Sequence, residues 1–230
     1  DHLDIKNINH KFEHMQLMLE SAIFSKKEFK QSVKDVKAKH KKEEKKSDEA
    51  DERRRLFVLD FKGDIRATEV ASLREEISSL LTVCRKNDEV VVLVESGGGT
   101  VHGYGLAASQ LKRIRDKNIK LTVSVDKVAA SGGYMMACVA DHIIAAPFAL
   151  LGSIGVLAQI PNFNKLLKKH DIDFEQIAAG KYKRTLTMFG ENTDADREKL
   201  KEELEETHIL FKAFVKENRD KVDIEKIATG

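Results

Sequence analysis

Residues 89–105 read EVVVLVESGGGTVHGYG, and this stretch sets the class of fold. Its first seven residues form an almost continuous apolar run, which is typical of a strand buried on both faces of a parallel sheet. The run ends in a glycine cluster, and residues 105–117 then show the pattern of a helix. A strand followed by a glycine loop and a helix predicts the ligand-facing edge of an α/β sheet.

The alternation of strand and helix continues on both sides of this stretch. Further strands are predicted at 56–61 (LFVLDF), 120–126 (KLTVSVD) and 142–147 (HIIAAP), with possible strands at 153–160 and 173–178. Further helices are predicted at 68–85, 131–139, 163–170 and 193–218, the last of them capped by Thr193 or Asp194. Repeated strand–helix units predict an α/β domain with mainly parallel pairing.

The first 55 residues differ in composition from the rest of the chain. We therefore expect a charged helical arm at 1–55 and a separate α/β domain at 56–230. Apolar residues between Phe12 and Ile23 recur at steps of three and four, which indicates an amphipathic helix. From Lys26 the chain is dominated by Lys, Arg and Glu, which predicts a solvated helix or spacer. Interleaved acidic residues argue against nucleic acid as a partner, whereas the lysines favour an anionic membrane surface.

Several classes of protein are excluded by what the chain lacks. It has neither the GxxxxGK[ST] loop nor a GxGxxG loop with a distal acidic residue, which argues against nucleotide binding. Cys84 and Cys138 have no metal-ligand spacing and are expected to be buried thiols. The most apolar stretch, 134–160, contains Asp141 and His142, which argues against a membrane span. It is therefore expected to be buried helix and strand.

A second glycine cluster follows the predicted strand at 120–126, in VAASGGYM at 128–135. Ser131 stands where a helix is predicted to begin, so unpaired backbone amides and the helix dipole would favour negative charge there. The amide of Gly132 could donate to an oxyanion, and the loop at 97–99 could supply a second donor. The alternative is a Ser-Gly-Gly turn that serves packing alone.

A nucleophilic serine needs a base, and the residues leave two candidates. His102 lies beside the first glycine loop, whereas His142 is expected in the core and His170 and His208 in solvent. The other candidate is a lysine of the segment AAGKYKRTLTMFG, in which Lys183 could be made neutral by burial and by a neighbouring cation.

Four separated motifs, in this order, resemble the signal peptide peptidase A family of serine peptidases. They are VESGGGTVHGYGLAASQL, DKVAASGGYMMACVAD, LGSIGVLAQIPNF and AAGKYKRTLTMFGENT, and the match in which they stand spans residues 56–230. The match is most like the family's SohB branch of bacterial inner-membrane peptidases. The resemblance implies a fold like the Clp protease and crotonase group, a spiral of ββα units.

The resemblance also implies a Ser–Lys catalytic dyad with no metal and no cofactor. The serine of its SGGY motif matches Ser131, and the lysine of its G-x-x-K motif matches Lys183. The serine of its GSIG motif matches Ser153, which would hold the lysine by a hydrogen bond. The oxyanion donors would be the amides of Gly132 and Gly99, with Gly98 as the alternative to Gly99.

One position departs from the family's pattern, because the loop S-P-G-G reads Ser96-Gly97-Gly98-Gly99 here. Glycine in place of proline is expected to loosen this loop. Similar proteins continue beyond the sequence IATG at the end of this chain, so we expect the catalytic domain to be incomplete at its C-terminal end.

The resemblance implies an endopeptidase acting on apolar, membrane-associated or signal-peptide-like peptides. It also implies a homo-oligomer at the bacterial inner membrane, held by a segment upstream of Asp1, on a side of the membrane that stays open. Two alternatives belong to other classes: a catalytically weak scaffold that binds membrane proteins, and an acyl-CoA enzyme of the crotonase group. The acyl-CoA enzyme would need a carboxylate near the glycine clusters, where only Glu95 stands.

Overall fold

The computed structural model describes residues 3–45, 54–180 and 185–229. The chain divides into two compact units, Asp1–Arg55 and Leu56–Gly230. The first unit contains two helices, α1 (Ile8–Ile23) and α2 (Lys26–Lys45). Among the described residues, no helix is both long and apolar enough to cross a membrane.

The two helices of the first unit begin at well-formed caps. Asn7 accepts a hydrogen bond from the amide of His10 at the start of α1. At the start of α2 the Ser25 hydroxyl and amide both donate to the carboxylate of Glu28, a capping-box arrangement. These caps satisfy amides that the first helical turn leaves unpaired, and they explain why the chain reverses at 24–25.

The second unit alternates strands and helices in chain order, as follows: β1 (Leu56–Lys62), α3 (Val70–Val83), β2 (Glu89–Glu95), α4 (Val101–Asp116), β3 (Lys120–Val125), β4 (Val128–Ala130), α5 (Gly132–Ala137), β5 (His142–Ala145), β6 (Leu150–Gly152), α6 (Asn164–Lys169), α7 (Asp194–Asn218) and α8 (Ile224–Ile227). Four strands pair in the order β1-β2-β3-β5, and β4 pairs with β6. All of these pairings are parallel. The predicted α/β class is confirmed, and the parallel architecture is consistent with the crotonase-like fold.

The core lies between the main sheet and the helices that follow its strands. It is formed by fully buried apolar side chains of β1–β3, α3, α4 and α5: Phe61, Ile77, Val90, Val92, Leu111, Leu121, Val123 and Met136. Burial of such side chains is the main force that holds the domain together. The core therefore fixes the carboxyl ends of β2 and β4, where the glycine clusters begin.

The strand at 89–95 has one buried and one accessible face, which corrects the expectation of burial on both faces. Val90, Val92 and Val94 are buried, whereas Leu93 between them is 37% exposed. The helix that follows begins at Val101, four residues earlier than expected, so the second half of the glycine cluster is helical.

Three expectations for the second half of the domain are wrong. Residues 153–160 and 173–178 form no strand, and His142 is exposed at the start of β5. The apolar run at 153–160 finds no neighbouring strand among the described residues, because β6 ends at Gly152 and its partner β4 at Ala130. The short strands β4 and β6 are found instead of these two.

The long C-terminal helix confirms its predicted cap. The Thr193 hydroxyl accepts a hydrogen bond from the amide of Asp196, and the Asp196 carboxylate accepts one from the amide of Thr193. This capping box lowers the pKa of Asp196 through the hydrogen bonds from Thr193. The short helix α8 has no counterpart among the predicted elements.

Candidate active site

Three parallel chain segments end side by side and bring the glycine clusters together. Ser96, directly after β2, donates its amide to the carbonyl of Val128, and the amide of Ala130 donates to the carbonyl of Ser96. On the other side of β4, Ala130 is in register with Gly152 of β6. The loop at 97–99, Ser131 and Ser153 therefore follow three neighbouring segments at one edge.

Ser131 occupies a strained turn between β4 and α5. Its backbone has φ 51° and ψ −117°, a positive-φ conformation that is rare for a residue with a side chain. Its amide donates to the carbonyl of Gly152 at 2.8 Å, and its carbonyl accepts from the amide of Met135 at 2.9 Å. Strand-to-helix turns of this kind present a nucleophilic serine outward in α/β-hydrolases.

Gly132 begins α5 and lies directly against the ring of Tyr104. A Cβ at Gly132 would be 2.3 Å from the Tyr104 Cγ, so the position admits glycine alone. The Gly132 amide, in the first turn of the helix, donates to no acceptor among the described residues. This amide is therefore available to an oxygen next to Ser131.

Gly133 is held close to the chain beyond β2. A Cβ there would be 2.6 Å from the carbonyl oxygen of Ser96. Gly133 thus permits the close packing of α5 on the end of β2, a structural role.

Gly98 and Gly99 differ in what they contact. A Cβ at Gly98, which has φ +90°, would be 2.7 Å from both the Ser131 Cβ and the Gly132 nitrogen. The Gly98 amide donates to the Ser96 hydroxyl at 3.0 Å. Gly99 is packed against the carbonyl of Ile65, and its amide has no acceptor among the described residues. Gly98 thus shapes the wall beside Ser131, and Gly99 carries the available amide.

Ser153 mirrors Ser131 on the neighbouring strand. It has the same backbone φ of 51° and directly follows the residue that accepts the Ser131 amide bond. Ser153 is exposed, whereas the next residue, Ile154, is fully buried. The structure therefore brings Ser131 and Ser153 to adjacent strand ends, as parallel strands about 4.8 Å apart require.

Lys183 and Lys181 lie outside the described residues. The segment that follows them is anchored by Asn162, just before α6, and by Asn164, the first residue of α6. The Asn162 side chain donates to the carbonyls of Thr187 and Gly190 at 2.9 and 3.0 Å, and the Asn164 side chain donates to the carbonyl of Phe189 at 2.8 Å. These contacts fix where the chain emerges after residue 184.

The other candidate base, His102, and the carboxylate Glu95 are not placed for acid–base catalysis. His102 is exposed on the first turn of α4 and has no hydrogen bond to Ser131 among the described residues. Lys127 forms an ion pair with Glu95 at 2.8 Å, which raises the pKa of the lysine and lowers that of the carboxyl. Glu95 is thus the partner of a cation, which argues against the acid–base role that an acyl-CoA enzyme would need.

Two supporting residues escaped prediction. Tyr104 is fully buried; its hydroxyl donates to the carbonyl of Asp64 at 2.7 Å and is hydrogen-bonded to the Ser96 hydroxyl at 2.5 Å. His208 was expected in solvent, but its Nε2 lies 2.9 Å from the carbonyl of Ile154. Tyr104 lies outside the helix predicted at 105–117, in the glycine cluster, where no local pattern indicates the partners of its hydroxyl.

The two cysteines are free thiols. Cys138 is buried, as expected, and burial raises its pKa to about 12, while Cys84 is only half-buried. The raised pKa argues against Cys138 as a nucleophile, and Cys84 lies at the end of α3, outside the three segments of the site.

Comparison with known families supports the resemblance to a peptidase family along almost the whole chain. Residues 1–111 match the family described as Peptidase family S49 N-terminal, and residues 113–230 match Peptidase family S49. Both matches are consistent with the order of the motifs that surround Ser131.

Individual relatives are similar at high identity. The probable protease SohB of Buchnera aphidicola subsp. Acyrthosiphon pisum is 65% identical over 178 residues, which is 77% of this chain and 53% of that protein. The probable protease SohB of Haemophilus influenzae is 54% identical over 239 residues, 99% of this chain and 67% of that protein. The chain thus spans between about half and two thirds of the length of these relatives. The resemblance drawn from the motifs is confirmed: the chain belongs to peptidase family S49, in its SohB-type branch.

Proposed function

We propose that this chain is the catalytic part of a serine endopeptidase in which Ser131 is the nucleophile and Lys183 the general base. The observation that carries the proposal is the strained Ser131 turn, beside which the amides of Gly132 and Gly99 have no acceptor among the residues that the structure describes. Membership of a peptidase family and the match of Lys183 to the G-x-x-K motif support the choice of base.

The reaction follows from these groups. Neutral Lys183 takes the proton of the Ser131 hydroxyl, and the serine oxygen attacks the peptide carbonyl. The amides of Gly132 and Gly99 stabilise the oxyanion of the tetrahedral intermediate. The lysine ammonium then protonates the leaving amine, and water, activated by the same lysine, hydrolyses the acyl-enzyme. Ser153 keeps Lys183 oriented by a hydrogen bond.

The proposed substrates are extended apolar peptides, such as pieces of membrane proteins or signal peptides. Residues 153–160 leave the site without regular structure, and Leu157 on this segment is 76% exposed. The backbone amides of 153–160 have no backbone acceptor in the described part of the chain, which suits a substrate that binds as an added strand. Exposed apolar side chains along it favour apolar substrate residues.

The decisive experiment compares hydrolysis of an apolar fluorogenic peptide by wild type, Ser131→Ala and Lys183→Ala. We expect each substitution to lower kcat/KM by at least about 10³-fold, because serine and lysine act as a unit. Lys181→Ala is the matched control, since it removes a lysine two residues away and should retain most of the activity.

A serine-directed fluorophosphonate probe separates the enzyme from the scaffold alternative. Wild type should be labelled at Ser131, and Ser131→Ala should not. Equal hydrolysis by all the variants, or a wild type that neither hydrolyses peptide nor takes the label, would contradict the proposal and favour a binding scaffold.

We also propose that the protein works as a homo-oligomer at the bacterial inner membrane. Large apolar side chains between 144 and 189 are exposed in a single copy, and they include Ile144, Phe148, Leu150, Leu157 and Ile177. Phe148 and Ile177 are each 96% exposed, more than a soluble surface usually tolerates for such residues. Membrane attachment through a segment before Asp1 is tested by fractionating cells that produce the natural full-length protein.

A further inference from the structure

A cluster of two histidines and a glutamate lies in the N-terminal unit, where the proposed peptidase reaction does not use it. His10 and Glu13 belong to α1, and His40 belongs to α2. One ligand atom from each of the three side chains lies within 4.8 Å of the others. The His40 Nε2 is 2.6 Å from the Glu13 Oε2, and the two imidazole rings have centroids 5.0 Å apart.

The two helices hold these side chains in place. His10 and Glu13 are three residues apart and so share one face of α1. Opposite them, α2 runs in the reverse direction, because Glu13 contacts Lys39 and His40 while Glu20 accepts a hydrogen bond from Ser32. The three donor groups therefore converge in a hairpin that is already formed.

The donor set has a defined chemistry. Two imidazoles and one carboxylate are a common three-ligand set for Zn²⁺, which leaves a fourth position for water. His10 is exposed, so the fourth position would face solvent. Tetrahedral ligands at about 2.1 Å from the metal are about 3.4 Å apart. The His40–Glu13 contact would thus open by less than 1 Å on binding.

We propose that His10, Glu13 and His40 form a zinc site that ties α1 to α2. Lys39 is the competitor, because its ammonium lies 2.6 Å from the Glu13 Oε1. Its positive charge opposes a dication at the same carboxylate. The site is independent of the peptidase chemistry, so it can exist whether or not Ser131 is a nucleophile.

The test is calorimetric titration of the tag-free 230-residue chain with zinc chloride at pH 7.5. We expect one zinc ion per chain and at least about a tenfold loss of affinity in His10→Gln and in His40→Gln, because each removes one of three ligands. His14→Gln is the matched control, since His14 lies beside Glu13 in sequence but outside the cluster. Lys39→Gln should bind zinc several-fold more tightly.

Cobalt and hydrogen exchange provide readouts of geometry and location. Co²⁺ bound to wild type should give the visible absorption bands of a four-coordinate ion, and these bands should be absent in His40→Gln. Zinc should slow amide exchange in α1 and α2 of wild type but not of His10→Gln, because binding to the folded hairpin opposes its opening. No zinc binding, or equal binding by wild type and both histidine variants, would overturn the proposal.

Discussion

At the scale of single residues, the site depends on groups that hold backbone in place. Tyr104 is the clearest case. Its ring fills the space beside Gly132, and its hydroxyl is hydrogen-bonded to Ser96, directly before the loop at 97–99. The Ser96 hydroxyl that it contacts also accepts the Gly98 amide. One phenol thus connects the two glycine clusters from which the proposed oxyanion donors come.

Tyr104→Phe keeps the ring and removes only these hydrogen bonds. We expect the free energy of unfolding to fall by about 1–3 kcal/mol, since the Asp64 carbonyl and the Ser96 hydroxyl lose a partner. We also expect kcat for the fluorogenic peptide to fall with little change in KM, because the loop donates mainly to the transition state. Urea denaturation and steady-state kinetics measure the two effects.

Tyr134→Phe is the control for stability. Tyr134 is also a nearly buried tyrosine, but its hydroxyl has no hydrogen bond among the described residues. Its loss should change the free energy of unfolding by about 0.5 kcal/mol or less. Equal losses in the two variants, or a Tyr104→Phe enzyme with unchanged kcat, would show that Tyr104 serves packing alone.

At the scale of elements, the sequence predicted what a regular pattern encodes. β1, β2, β3, β5 and α7 were placed correctly, because long apolar patterns and the Thr193 cap are local signals. β4 and β6 have three residues each, too few for a period, and their existence depends on pairing with each other. The run at 153–160 has the composition of a strand, but no neighbouring strand satisfies its backbone.

In the candidate site, too, features with a local sequence signal could be predicted from the residues, and features without one could not. Ser131 and its place at a helix start were predicted from the residues, whereas the pairing with Lys183 and Ser153 came from the family resemblance. Tyr104 and His208 could not be found from sequence, because each acts on a carbonyl or hydroxyl more than five residues away. His170 and His208 looked alike in their charged helical surroundings, yet His170 is exposed and His208 is half-buried.

Helix α7 contributes to the site through His208. Since a carbonyl can only accept, the His208 Nε2 donates to Ile154, the residue after Ser153. We expect His208→Ala to lower the free energy of unfolding by about 1–2 kcal/mol and to lower kcat more than it changes KM, because Ser153 loses its support. His208→Gln, which can still donate, should restore part of kcat.

His170→Ala is the matched histidine control and should leave both quantities close to wild type. If His208→Ala lost stability but kept the kcat of wild type, or if glutamine gave no rescue, His208 would be a structural residue without a role in positioning Ser153.

At the scale of the whole molecule, the two halves of the second unit differ in how many large apolar side chains they expose. The first half buries most of its large apolar side chains between the sheet and its helices, with exceptions such as Ile65, whereas the second half leaves many of them exposed between 144 and 189. This distribution supports the proposal that further copies of the chain cover the second half.

Light scattering after size exclusion tests the assembly directly. We expect wild type to have a mass that is a multiple of 25.9 kDa, and Phe148→Glu with Ile177→Glu to shift it towards that of one chain. Leu210→Glu is the control, because Leu210 is 70% exposed on α7, outside this segment, and should keep the wild-type mass. A wild type of 25.9 kDa at every concentration would contradict self-association.

The hydrogen bond between the Ser131 amide and the Gly152 carbonyl has a mechanical consequence. It clamps the two strand ends on which the proposed nucleophile and the proposed holder of the lysine stand. Small displacements of the helices behind the sheet will then carry both serines as one rigid pair. The distance between the two serine hydroxyls should therefore change little when the rest of the domain shifts. Substitutions in the core can then accumulate without altering the geometry of this pair.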